Sequence, residues 1–97
     1  MSYVRVWVVE YSVSWADHLK IFRTHLEPGL KAQKKSGNLS SYMLTQTGTN
    51  TAVSVLEFET MAKMNKVMKA MSSSREDIAA GGANQSWVYT GQVKASG

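Results

Sequence analysis

The chain has 97 residues, a formal net charge of +4 and no cysteine. This length predicts a single domain over residues 1–97, and the absence of thiols excludes a disulfide framework, a thiolate nucleophile and a cysteine-based zinc site. Arg5 and Glu10 interrupt the N-terminal apolar run, so it predicts neither a secretory signal nor a membrane span of about 20 apolar residues. We therefore expect a cytoplasmic protein with no membrane partner.

The first segment, residues 3–13, is rich in β-branched and aromatic residues and predicts a strand. Alternate residues from Tyr3 to Tyr11 would form one face, while valines dominate the other face, so both faces are largely apolar. Arg5 is a charge within this run and has two explanations. It could orient a substrate carboxylate or enolate, but we expect it to pair with Glu57 on a neighbouring strand.

A long amphipathic helix is predicted next. Ser14 has the position of an N-cap, and apolar residues then recur at helical spacing to about Lys35. Pro28 cannot donate a backbone hydrogen bond, which predicts a kink near Thr24 or a restart at Pro28. Gly37 is expected to end the helix.

The rest of the chain predicts two strands around a tight turn, a second helix that Thr60 caps, and a last strand. The helix is expected to weaken over residues 72–77. The resulting order, β-α-β-β-α-β, is that of a ferredoxin-like α+β protomer, with a four-stranded antiparallel sheet and two helices on one of its faces. The predicted bounds of the three later strands are 39–47, 52–59 and 86–94, and those of the second helix are 61–71.

Two helices leave one face of such a sheet uncovered. In a monomer that face should be polar. In the strand 52–59, however, Val53 and Val55 lie on one side and Leu56 and Phe58 on the other, so both sides carry apolar residues. A large exposed apolar face marks an interface, and a two-fold symmetric copy is the simplest cover. The sequence therefore predicts a homodimer formed through the sheet face.

Four methionines of the second helix, Met61, Met64, Met68 and Met71, recur three or four residues apart. This spacing predicts one buried face against the sheet, and flexible thioethers make it a compliant wall for a small-molecule ligand. Aromatic rings can stack on a flat ligand, or they can simply form core and interface. The candidate substrate-pocket residues are Trp7, Phe22, Tyr42, Met64, Met68 and Trp87.

His18 and His25 are the two histidines of the chain. They are two helical turns apart, roughly 10 Å, whereas two ligands for one metal ion need i, i+4 spacing. We therefore expect no metal site. Either histidine has a pKa suited to general acid–base catalysis, and the alternative is a histidine that only packs and hydrogen-bonds.

Two stretches, FRTHLEPGLKAQKKSGNLSSY (22–42) and SVLEFET (54–60), resemble NIPSNAP-like and antibiotic-biosynthesis-monooxygenase-like small proteins. These proteins belong to the dimeric α/β-barrel superfamily, in which two ferredoxin-like protomers pack their sheets together. The residues that match the spacing in the first stretch are His25, Pro28, Lys34, Lys35 and Gly37.

The resemblance implies a cofactor-independent monooxygenase or isomerase that acts on an aromatic or polyketide-like metabolite, with His25 the better catalytic candidate and His18 the second. A non-catalytic ligand-binding or structural homodimer is the alternative, so whether the chain is an enzyme stays open. Haem-degrading relatives carry an iron-ligating histidine on the second helix. Residues 61–71 contain none, so we expect no cofactor and disfavour haem degradation.

RNA-recognition motifs share this order of elements but carry a glycine and several aromatic residues on strand three. Here that strand, AVSVLEFE, is acidic and has no glycine. The sequence therefore predicts no nucleic-acid partner.

Overall fold

The computed structural model describes residues 2–72 and 83–97. The predicted weakening of the second helix falls largely within residues 73–82, which lie outside this part of the chain. The elements are β1 (Tyr3–Tyr11), α1 (Trp15–Ile21), a π-helical turn (Phe22–Leu26), α2 (Glu27–Lys35), β2 (Ser41–Gln46), β3 (Thr51–Phe58), α3 (Met61–Ala70) and β4 (Ala83–Gln92).

The four strands form one sheet in the order β2-β3-β1-β4, and every neighbouring pair is antiparallel. This is the ferredoxin-like arrangement, so the predicted fold class is confirmed. β4 begins three residues earlier than predicted because it continues to pair with the end of β1, where a register shift lies between Glu10 and Tyr11.

Local chemistry sets the ends of the helices as the sequence predicts. The Ser14 hydroxyl accepts a hydrogen bond from the Asp17 N–H at 3.2 Å. The Thr60 hydroxyl accepts one from the Lys63 N–H at 3.2 Å. Gly37 has a φ of 86°, the left-handed conformation that favours glycine after a helix.

Pro28 is accommodated by a change of helix type. The Glu27 N–H bonds to the Phe22 carbonyl, five residues back, so the chain makes a π turn before α2 begins. Pro28 then lies in the first turn of α2, where its missing N–H costs no helical hydrogen bond. The predicted restart at Pro28 is confirmed to within one residue.

The helices cover one face of the sheet, and the main core lies between this helix layer and the sheet. Phe58, Leu30, Met64 and Val67 are almost completely buried there. The core cluster comprises Phe22, Leu26, Leu30, Leu39, Leu56, Phe58, Met64, Val67 and Met71.

The other face of the sheet, called the open face below, faces away from the helices. Several of its large apolar side chains are exposed: Tyr89 to 61%, Met43 to 55% and Trp87 to 42%. The strand registers place these residues on the open face: Val4, Val6, Val8, Met43, Val53, Val55, Trp87 and Tyr89.

The predicted Arg5–Glu57 ion pair is wrong. In the register of β1 with β3, Arg5 is opposite Leu56, while Glu57 is opposite Val4. Successive residues point to opposite faces, so Arg5 lies on the helix side and Glu57 on the open face. The Ser2 hydroxyl donates a hydrogen bond to the Glu57 carboxylate at 3.3 Å.

Candidate functional site

A small cavity lies between the sheet and the helices, with a volume of about 30 Å³. Strands β1, β3 and β4 form its floor, and the π turn, α2 and the end of α3 form its roof. Val88 is 43% exposed, so the cavity opens towards β4. The lining residues are Arg5, Trp7, Leu26, Leu30, Leu56, Met68, Met71 and Val88.

The alternation of β1 and the registers of its two neighbouring strands place the floor residues on one face of the sheet. Arg5 and Trp7 are two residues apart in β1, so they share the helix side. The registers then place Leu56 opposite Arg5 and Val88 opposite Trp7. The floor thus combines one guanidinium, one indole and two aliphatic side chains.

The roof follows from helical spacing. Leu26 and Leu30 are four residues apart, and Met68 and Met71 are three apart, so each pair lies on one side of its helix. All four side chains are apolar. Among the described residues of the lining, Arg5 is the charged one, and the others contribute hydrocarbon, indole and thioether groups.

The size of the cavity limits what it holds in this conformation. One water molecule needs about 10–15 Å³ measured in this way, and drug-sized ligands occupy pockets of about 300–1,000 Å³. The cavity of about 30 Å³ thus has room for a few atoms. A larger ligand requires movement of the wall, and the unbranched side chains of Met68 and Met71 are the wall residues best suited to move.

The six predicted pocket residues divide into three groups. Trp7 and Met68 line the cavity, and Phe22 and Met64 belong to the adjoining core. Trp87 lies on the open face, opposite Val8 in the register, and so is separated from the cavity by the sheet.

Tyr42, the sixth, packs against the same core from β2. Its hydroxyl donates a hydrogen bond to the Glu27 carboxylate at 2.9 Å. Burial raises the pKa of Tyr42, and the hydrogen bond to Glu27 and the nearby negative charge raise it further. Tyr42 thus attaches β2 to the start of α2 and is not part of the lining.

The methionine stripe of α3 is largely buried, as predicted. Met64 and Met71 are buried and Met68 is half-buried, but Met61 at the start of the helix is 40% exposed.

The two histidines have different surroundings, and neither lines the cavity. His25 is exposed on the π turn. His18 is only 4% exposed, and its ring stacks on that of Tyr11 with centroids 4.2 Å apart and planes 3° apart. Trp15 packs against both rings. Burial lowers the pKa of His18 and raises that of Tyr11.

The sequence interpretation considered Arg5 as a residue that orients the substrate but favoured an ion pair with Glu57, so Arg5 was not among the predicted pocket residues. The signal was available, since the alternation of β1 already places Arg5 beside Trp7. Met71 was predicted as part of the methionine face of the second helix, although only Met64 and Met68 of that face were named as pocket residues. The sequence does not distinguish the remaining lining residues from the rest of the apolar core. They are Leu26, Leu30, Leu56 and Val88.

Within residues 2–72 and 83–97, no group of three or more histidine, cysteine, aspartate or glutamate side chains could hold a metal ion. Among the helices of those residues, none is long and apolar enough to cross a membrane.

Comparison by sequence and by structure gives different results. No protein-family profile matches the chain, and no curated protein is similar to it in sequence. Several solved structures share its fold. A dimeric ferredoxin-like protein from an uncultured marine organism superimposes with a TM-score of 0.80 at 10% identity, over 98% of this chain and 90% of that one.

Two further structures are of oxygenases. A variant of SnoaB, a cofactor-independent oxygenase from Streptomyces nogalater, has a TM-score of 0.80 at 8% identity, over 98% of this chain and 95% of that one. The monooxygenase ActVA-Orf6 from Streptomyces coelicolor, solved with nanaomycin D, has a TM-score of 0.78 at 11% identity, over 98% of this chain and 89% of that one. At these identities the likeness establishes the fold, which alone does not assign a reaction.

Proposed function

We propose that this protein is a homodimer that binds a small aromatic or polyketide-like metabolite beneath α2 and α3 and oxidises it with molecular oxygen, without a cofactor. The observation that carries the proposal is the position of Arg5 beside Trp7 in a cavity whose other described lining residues are apolar. The shared fold with a cofactor-independent oxygenase supports it.

The lining selects for a flat molecule that becomes an anion. An indole offers a stacking surface to an aromatic ring, and a guanidinium presents planar donors to an oxyanion. Apolar walls strengthen that attraction because little solvent screens it. A phenol, quinol or anthrone with an acidic hydroxyl or an enolisable carbonyl has both features.

The same arrangement favours oxygenation of such a substrate. A positive charge beside the forming enolate or phenolate lowers the pKa of the substrate, so that the substrate releases its proton to solvent. The resulting anion delocalises negative charge onto a carbon that reacts with oxygen. For a methylene next to aromatic rings, one oxygen atom becomes the new carbonyl and the other leaves as water. Arg5 stabilises the anion, and the apolar walls exclude bulk water from it. The roles predicted for His25 and His18 stay predictions, since neither residue lines the cavity.

The open face is the proposed dimer interface. It presents Met43, Trp87 and Tyr89 to solvent beside the valines of β1 and β3. Stable interfaces have an apolar centre enriched in aromatic residues and methionine, and two copies of this face provide one. The two-fold packing of sheets leaves the helix layers and both cavities on the outside of the dimer.

A second candidate function is a non-catalytic ligand-binding or structural homodimer. It is favoured by the small volume of the cavity and by the absence of an acidic, basic or nucleophilic side chain other than Arg5 from the described lining. The two candidates differ in whether a bound ligand consumes oxygen.

The test combines ligand binding with oxygen uptake. Thermal-shift titrations with quinols, anthrones, lactones and haemin should show stabilisation by quinols or anthrones and no Soret shift with haemin. Bound ligand should then consume oxygen in an electrode assay. Replacement of Arg5 by Gln should weaken binding of the anion by about tenfold or more, whereas Arg23→Gln, which removes an exposed arginine of the π turn, should leave binding unchanged.

Each negative result has a definite meaning. Binding without oxygen uptake would replace the oxygenase by the ligand-binding protein. No binding of any of these compounds at millimolar concentration would leave the structural homodimer. Equal affinity of the wild-type protein and Arg5→Gln would remove Arg5 from the site.

A further inference from the structure

Gly29 in α2 lies against the side chain of Met71, the residue at the end of α3. A Cβ atom built on Gly29 would lie 2.7 Å from the sulfur of Met71 and 3.0 Å from its methyl carbon. Favourable contacts between such atoms are about 3.5–4.0 Å. Any side chain at position 29 must therefore displace the Met71 thioether.

The backbone of Gly29 does not itself require glycine. Within residues 2–72 and 83–97, the glycine with positive φ is Gly37, so Gly29 has an ordinary backbone conformation. Alanine has the higher helix propensity, which makes glycine the poorer choice for α2 considered alone. What the glycine provides is space, and Met71 occupies it.

Met71 also borders the cavity. Its N–H bonds to the Val67 carbonyl at 3.0 Å, which fixes its backbone at the end of α3. Its side chain is buried and lines the cavity beside Met68. With the backbone held and the core packed around it, a thioether displaced from Gly29 has the cavity as its free space.

We propose that Gly29 and Met71 together set the size of the molecule that the cavity admits. Because Gly29 has no side chain, the Met71 thioether can lie against α2, where it lines the cavity without filling it. Rotation of that thioether then determines how large a ring can enter. The choice of an aromatic substrate rests on the proposed function, whereas the control of cavity size does not.

Four proteins test this pair: wild type, Gly29→Ala, Met71→Ala and the double variant. The probe is xenon, which enters apolar cavities of this kind, and its binding is followed by NMR of methionine methyl groups. Gly29→Ala should bind xenon at least about tenfold more weakly, because the displaced thioether fills the cavity. Met71→Ala should bind at least as tightly as wild type, and the double variant should behave like Met71→Ala, since the new methyl group then meets no thioether.

Two methionines serve as controls. In Gly29→Ala the methyl resonances of Met71 and Met68 should shift, while that of Met43, on the other side of the sheet, should not. Met61→Ala truncates a methionine of the same helix outside the cavity lining and should leave xenon binding unchanged.

Several outcomes would overturn the proposal: unchanged xenon binding in Gly29→Ala, a double variant as deficient as Gly29→Ala, or no uptake by either wild type or Met71→Ala. If Gly29→Ala does not fold, recovery of folding in the double variant supports the clash with Met71, and failure of both refutes it. Xenon results as expected without binding of quinols or anthrones would refute the proposed function alone. Quinol binding that is insensitive to Gly29→Ala and Met71→Ala would refute this inference alone.

Discussion

Replacement of Tyr11 by phenylalanine should stabilise the protein, although most substitutions of buried residues destabilise. The Tyr11 side chain is completely buried, and its hydroxyl has no hydrogen-bond partner among the described residues. A buried polar group without a partner costs about 1–3 kcal/mol. Phenylalanine removes this group and retains the ring that stacks on His18 at 4.2 Å.

We expect the free energy of unfolding of Tyr11→Phe to rise by about 1 kcal/mol, at the lower end of that range. For a chain of this size, such a change raises the melting temperature by about 4–8 °C. The assay is urea unfolding at fixed protein concentration, since a dimer gains stability with concentration. The midpoint should increase while the slope of unfolding free energy against urea stays constant.

Tyr42→Phe is the matched control, because the Tyr42 hydroxyl donates to the Glu27 carboxylate at 2.9 Å. Loss of this bond between two half-buried groups should lower the free energy of unfolding by about 1 kcal/mol. The reasoning would be refuted if Tyr11→Phe lowered stability as much as Tyr42→Phe does, since the Tyr11 hydroxyl would then have a stabilising partner in solution.

Three further predictions concern the buried histidine, the open face and the methionines. Burial lowers the pKa of His18 below its ordinary value of about 6.5, so the unfolded chain binds the proton more readily than the folded chain. The free energy of unfolding should therefore be highest above about pH 6.5. Below that pH it should fall by up to about 1.4 kcal/mol per pH unit. Urea midpoints measured from pH 7.5 to 5 should show this slope, and His18→Gln should abolish it; an unchanged slope would refute the assignment. Val6→Glu places a charge in the centre of the open face and should convert the dimer to a monomer by light scattering, whereas Lys66→Glu on the exposed side of α3 should not; dimers in both would move the interface elsewhere. Met64→Leu and Met68→Leu should each change the free energy of unfolding by less than about 1.5 kcal/mol, and Met68→Leu should alter ligand affinity because Met68 lines the cavity; a large loss of stability in both would show a tightly fitted core.

The type and order of the elements and the capped ends of the helices could be predicted from the sequence, whereas the ends of β2 and β4 could not. Ser14, Thr60 and Gly37 act on backbone groups within a few residues, so their capping roles are visible in a short window. The two-residue period of β1 likewise showed that Tyr3, Arg5 and Trp7 share a face. The order of the elements then led to the ferredoxin-like fold, which the strand order confirms.

Which side of each strand the helices cover became known from the three-dimensional structure. A strand's alternation tells which residues share a face, but the register with its neighbours decides which face that is. The strand registers show that Arg5 lies on the cavity side of the sheet, whereas Glu57 and Trp87 lie on the open face. Likewise, Gly29 meets Met71 because the fold brings together two segments that are far apart in the sequence, and no local pattern encodes that distance.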